Sequence, residues 1–261
     1  MIEVSIVKTR KYSFVTLLIA IALVSATWML SQMYYMARIG WFGEDGSREI
    51  VPILQKYGAH RFSRNVEEWV IRDFFQDRHN GVFLDVGAND YRNESNTYYL
   101  ETELGWSGVA IDALEEFAPG YKEHRPHTQF FAGFVSDVGD STVQFFVPEQ
   151  NKLVASVSHE FTERAGTPGV PRTVRTTTMD RVLVQAGISR LDFMSMDIEL
   201  SEPKALAGFD IDRFSPSLVC VEANPEVRQQ ILDYFARHHY TVIGKYLRAD
   251  PKNLYFRPMA D

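Results

Sequence analysis

The chain contains a single cysteine, Cys220, so it can form no internal disulfide. Cys220 lies in the apolar run Leu218-Val-Cys-Val221, which reads as a buried structural thiol rather than a nucleophile. Basic residues are also short: 27 Lys and Arg against 34 Asp and Glu leave a net charge of −7. That balance excludes a general nucleic-acid binder, which needs clustered cations to neutralise phosphates. There is no internal repeat, no low-complexity tract and no Gly-x-Gly-x-x-Gly, and the last absence argues against an NAD-dependent oxidoreductase. Histidines do not cluster as metal ligands. His124 and His127 are close but have no companions, His238 and His239 close a predicted helix, and His159 sits in a long loop. Charge itself is missing from residues 12–37.

That uncharged stretch is almost continuously apolar over residues 14–30, with Lys8, Arg10 and Lys11 before it and Trp28, Tyr34, Tyr35 and Trp41 toward its far end. About 20 helical residues span a bilayer core, so residues 1–37 are expected to form a basic flank and a transmembrane anchor. A cleavable signal peptide ending near Val24-Ser-Ala26 is the competing reading, but the apolar run continues past it through Trp28-Met-Leu30. The basic flank favours a domain outside the cytoplasm. The lack of a cysteine pair and a glycosylation sequon at Asn93-Glu-Ser95, inside a proposed ligand loop, weigh the other way and leave the side open. Residues 38–62, with Gly40, Gly43, Gly46, Pro52 and Gly58, read as a linker. Residues 63–261 read as one globular domain, and a 45% hydrophobic content is enough to pack its core.

What is present begins with Gly81-Val-Phe-Leu-Asp-Val-Gly-Ala-Asn-Asp90. A buried strand carries an acid, Asp85, near its end and breaks at Gly87 into a polar turn. The next apolar run, Gly108-Val-Ala-Ile-Asp112, also ends on an acid. A strand, a glycine turn, a helix and a second strand ending on a carboxylate describe a nucleoside site. The turn lets backbone N–H groups approach the ligand, and the second acid accepts from ribose hydroxyls.

Further strands are predicted over 129–134, 143–147, 173–176, 191–196, 217–221, 240–244 and 254–257. The helices expected between them lie at 115–123, 178–185 and 202–207, with another from Pro225 to His239. Residues 148–171, rich in Gly and Pro, form a long excursion over the site. Strands alternating with helices give a mostly parallel sheet. A final pair joined by a short link at Asp250-Pro251 gives an antiparallel last strand. In such sheets ligands sit beyond the carboxyl ends of the strands, where Asp85, Asp112, Asp137, Asp197 and Glu222 fall. A single strand-end acid is as readily a helix cap, but an ordered set points to a site.

In order along the chain, Phe83-Leu-Asp-Val-Gly-Ala-Asn89, Leu104-Gly-Trp-Ser-Gly-Val-Ala-Ile-Asp112, Val174-Arg-Thr-Thr-Thr-Met-Asp180 and Leu191-Asp-Phe-Met-Ser-Met-Asp-Ile-Glu199 resemble the FkbM-type methyltransferases over residues 65–258. The resemblance implies a class I methyltransferase fold, Rossmann-like, with a seven-stranded sheet. It also implies S-adenosylmethionine as donor and a hydroxyl acceptor, often of a sugar or other small molecule. Asp85, Gly87 and Asn89 would hold the amino-acid end of the donor, Asp112 its ribose, and Ser136 with Asp137 its adenine. Asp197 is the candidate general base and Glu199 its support or a substrate ligand; Mg²⁺ on Asp197, Glu222 and Asn224 is the less favoured arrangement. Two departures stand out: Asp90-Tyr-Arg92 where a glycine is common, and Leu200 where the family's Asp-x-Glu is followed by glycine. They motivate a rival reading, a catalytically inactive, membrane-tethered binding or trafficking protein that keeps the fold.

Overall fold

In the computed structural model, residues 43–148, 152, 155–164 and 169–260 are described. The expected transmembrane segment lies outside them. Among the described residues no helix is long and apolar enough to cross a membrane. The chain divides after Arg48, and the sheet and the site belong wholly to the second unit, Glu49–Asp261.

The first helix, α1 (Gly43–Tyr57), replaces most of the expected linker. Its glycines and Pro52 argue against a helix, but Ile50 and Ile53 are buried with Leu54 and Tyr57 half-buried behind them, an i, i+3, i+4, i+7 stripe that outweighs local propensity. Pro52 sits on the exposed side. Gly58, at φ +78°, ends the helix by donating its N–H to the Leu54 carbonyl oxygen. Helix α2 (Glu67–Phe75) buries Trp69, Val70 and Ile71 and leads into the first strand.

Seven strands make the main sheet. They are β1 (Val82–Val86), β2 (Ser107–Asp112), β3 (Thr128–Ala132), β7 (Phe193–Met196), β8 (Leu218–Glu222), β9 (Tyr240–Val242) and β10 (Asn253–Pro258). Their spatial order is β3-β2-β1-β7-β8-β10-β9. Neighbours from β3 through β8 are parallel, while β10 runs antiparallel to both β8 and β9. The expected antiparallel last strand is therefore present, inserted between β8 and β9. The order, with its late antiparallel insertion, is that of the class I methyltransferase fold.

A smaller sheet holds β4 (Phe134–Val135), β5 (Thr142–Val147) and β6 (Val170–Thr177), in the order β4-β6-β5. The expected single strand over 129–134 is therefore two strands in different sheets, because Gly133 breaks the run and donates its N–H back to the Asp112 carbonyl oxygen at 2.8 Å. The connecting helices are α3 (Tyr98–Thr102), α4 (Ala118–His124), α5 (His159–Arg164), α6 (Met179–Gln185), α7 (Glu202–Ala207), α8 (Ile211–Phe214) and α9 (Arg228–Arg237). Pro225 lies in the turn ahead of α9 rather than inside it, where the Asn224 carbonyl oxygen accepts from Val227 and Arg228. Helix α8 was not expected.

Topology then fixes the site. The chain leaves β1 toward β2 and β3, and returns past it to β7 and β8, so strand order reverses beside β1. In register, Val86 pairs with Ile111 on one side and Met196 on the other, and Met196 pairs with Val221. The next residues, Gly87, Asp112, Asp197 and Glu222, consequently line up along one edge.

Candidate active site

Two adjoining hollows open at that edge, enclosing about 520 and 1100 Å³ of empty space including open solvent. Gly87, Asn89, Asp197 and Glu199 line both and form their shared boundary.

The smaller hollow is built around Asp112. One carboxylate oxygen accepts the Asn89 N–H at 2.9 Å and the other the Leu114 N–H at 2.8 Å. Each oxygen keeps a further lone pair, so the group is held in place and still able to accept from a diol. Burial raises its pKa to about 6, against the pull of those two N–H bonds. Leu114, Phe117, Phe134, Val135 and Phe145 make the apolar wall opposite.

The glycine turn works differently from expectation. The N–H groups of Gly87 and Ala88 both donate to the Ile111 carbonyl oxygen, and that of Asn89 to Asp112. They bind the turn to β2 and hold the acid, and none is left to cradle a phosphate. Gly87 is required by its φ of +80° and by proximity, since a Cβ there would lie 1.9 Å from the Asp197 carbonyl oxygen. Asn89, at φ +53°, takes the left-handed shape that Asn tolerates better than most residues.

Asp85 lines the larger hollow and is buried there; the Thr97 hydroxyl donates to it at 2.8 Å. Burial lifts its pKa to about 6. Ser136 and Asp137 do not line either hollow. Ser136 is buried, its hydroxyl donating to Asp137 at 2.9 Å, and Gly133, Phe134 and Val135 take the place at the apolar wall expected of them. The departure at Asp90-Tyr-Arg92 builds a self-contained turn. Asp90 accepts the N–H groups of Arg92 and Asn93, and Tyr91 stacks on His124 with ring centroids 4.6 Å apart.

In the larger hollow, one oxygen from each of Asp197, Glu199 and Glu222 lies within 4.8 Å of the others. Asp197 is open to solvent along the cleft but walled by protein. Enclosure and the neighbouring Glu222 carboxylate hold its pKa well above the carboxylate range. Burial, then Asp197 and Glu222, pushes Glu199 up to about 10. Glu222 is also raised by burial, but hydrogen bonds from Asp197 and Glu199 pull it back. Three carboxylates this close cannot ionise independently, so they titrate as a group. Asn224 donates its amide nitrogen to Glu222 at 2.8 Å, whereas the oxygens brought together as a candidate cation group are those of the three carboxylates.

The backbone carrying Glu199 is strained. Glu199 has φ +50° and Leu200 φ +75°, two successive residues in the left-handed region. Each costs about 1–2 kcal/mol for an L-residue. Leu200, which stands where a glycine was expected, keeps a glycine-like backbone while its side chain packs on the main core. Arg64, Asn96, Phe161, Ser195 and Lys252 are among the other residues lining the larger hollow. Sequence reading missed them. Ser195 alone left a trace, as the polar residue in the apolar run Phe193-Met-Ser-Met196.

The Methyltransferase FkbM domain family matches residues 85–242. The chain belongs to this family. The match runs from Asp85 through β9 and takes in every member of the carboxylate cluster. No curated protein matches the chain. Among solved structures, it resembles a TehB-like SAM-dependent methyltransferase from Corynebacterium glutamicum at 12% identity and a TM-score of 0.45, over 82% of this chain and 97% of that one. A SAM-dependent O-methyltransferase from Thermotoga maritima gives 9% and 0.43, over 80% and 70%. The 1,6-didemethyltoxoflavin-N1-methyltransferase of Burkholderia thailandensis, solved with S-adenosylhomocysteine, gives 13% and 0.39, over 88% and 86%.

Proposed function

We propose that this FkbM-family protein is an S-adenosylmethionine-dependent O-methyltransferase acting on a hydroxyl of a sugar, glycoconjugate or related small molecule. The observation that carries the reading is the pairing of a backbone-held carboxylate, Asp112, with a cluster of three carboxylates across the boundary at Gly87. The smaller hollow suits an adenosyl group: Asp112 for the ribose hydroxyls and an apolar wall for a flat base. Bound there, S-adenosylmethionine supplies a methyl group already activated on a sulfonium. The larger hollow, with its asparagines and carboxylates, suits a polyhydroxylated acceptor.

The residues' part is to place the acceptor oxygen and take its proton. Asp197 accepts the hydroxyl proton while its own proton passes to Glu222, and Glu199 orients the acceptor beside them. Much of the rate comes from alignment of the two reactants. Titration calorimetry with S-adenosylmethionine tests the donor site, with micromolar or tighter binding expected and no heat the contrary result. Mass spectrometry of the host's glycans and lipids tests the reaction, since loss of the protein should remove one methylene mass per site.

Residues 12–37 are proposed as the membrane anchor. Membrane fractionation should follow that segment, and protease protection would assign the domain to one face.

A further inference from the structure

The segment Ala155–Phe161 touches both hollows and the strained turn between them. Ala155 lines the smaller hollow and packs with Leu114, Phe134 and Phe145, while Phe161 lines the larger one. Between them Ser156 is wholly buried. Its N–H and carbonyl oxygen pair with Phe146 on β5 at 3.1 and 2.8 Å, which pins the segment to the smaller sheet. Its hydroxyl donates to the Glu199 carbonyl oxygen at 2.9 Å and accepts the Ser158 N–H at 3.1 Å. Glu199 is the left-handed residue whose carboxylate joins the acidic cluster. A left-handed glutamate followed by a left-handed leucine persists only where the surroundings impose it. Ser156 supplies a bond to that turn from outside the strand that carries it.

We infer that Ser156 is a positioning residue: through its hydroxyl, the segment that walls the donor hollow sets the orientation of Glu199 in the acceptor hollow. The inference rests on the methyl-donor reading for its second measurement only.

The test uses the full chain and the variants Ser156→Ala and Ser156→Cys, the latter keeping the volume without a strong donor. Hydrogen exchange is read first. The amides of residues 198–202 should exchange about fivefold to tenfold faster in both variants, the worth of one buried hydrogen bond, while β7 and β8 stay protected. Unchanged exchange at 198–202, or equal acceleration across the sheet, overturns the inference. Affinities for S-adenosylmethionine and S-adenosylhomocysteine are read second. The first carries a sulfonium charge and the second does not, so a disturbed carboxylate cluster beside the shared boundary weakens the first by several-fold more than the second. Equal losses for both would reduce Ser156 to a structural role and also overturn the inference. Failure of the wild-type protein to bind either nucleoside would count against the donor reading, and the exchange result would still decide the role of Ser156.

Discussion

The two hollows share a boundary yet are built on opposite principles. On the Asp112 side, each polar group meets its partner before any ligand arrives: both carboxylate oxygens hold a backbone N–H, and the turn N–H groups are all engaged. On the Asp197 side, three carboxylates crowd together and two successive residues adopt left-handed backbone. One side is organised to bind, and the other holds unfavourable energy that a ligand can relieve. This division suits the proposed roles of the two sides. A cofactor site gains from rigidity, whereas a reacting site gains from groups whose charge shifts during the reaction.

The sharpest way to separate the sides is Asp197→Asn. Methyl transfer should fall by about 10²–10⁴, the usual contribution of a general base, with donor affinity within about threefold of wild type. A parallel loss of donor binding would place Asp197 in the donor site as well. Gly87→Ala attacks the boundary, because its Cβ would lie 1.9 Å from the Asp197 carbonyl oxygen at a φ of +80°. Denaturant unfolding should show a loss of about 3 kcal/mol or more, with both sides impaired. Asp112→Ala should weaken S-adenosylmethionine by about tenfold to a hundredfold, the worth of hydrogen bonds to a charged group, without altering the carboxylate cluster. An unchanged affinity would remove Asp112 from the donor site.

Titration distinguishes the sides more gently. A carboxyl with a raised folded pKa holds its proton more tightly in the folded state. Its stabilising effect is complete below the unfolded pKa and is lost as pH climbs through the folded one. For Asp112 that window runs from 3.8 to about 6, and for Glu199 from 4.5 to about 10. The melting temperature of the unliganded protein should therefore fall as pH rises, first through Asp112 and Asp85 together and then through Glu199. Glu199→Gln should flatten the fall above about pH 7, and an unaltered profile would discount the crowding. The smallest effect is expected at the exposed Glu116, which pairs with Lys152 at 2.6 Å and Arg172 at 3.0 Å. Arg172→Ala should change stability by no more than about 1 kcal/mol, and less in high salt.

How much of this could be read beforehand followed from range. The run Val82–Val86 is found as a strand with the expected bounds, and the acid at the end of β2 lies where the short apolar run placed it. Strand-end position put Asp112, Asp197 and Glu222 on one edge, because a parallel sheet leaves little freedom there. Helix α1 was hidden by its glycines and Pro52, since only tertiary burial of Ile50 and Ile53 outweighs them. The capture of the Gly87, Ala88 and Asn89 N–H groups by β2 was equally hidden. Hydrogen-bond partners depend on distances that no spacing rule encodes. Ser136 and Asp137, expected near the adenine, follow directly on the lining residues Phe134 and Val135, because the break at Gly133 shifts the lining earlier in the chain.

Leu200 has a consequence for how such chains are recognised. A shape ordinarily reserved for the residue without a side chain is here worn by one of the bulkier aliphatic ones. The path of the main chain is therefore dictated by neighbours such as the Ser156 hydroxyl, not by the letter at that position. A search that insists on glycine after the acidic pair would pass over this protein, although its backbone turns the corner as a glycine would.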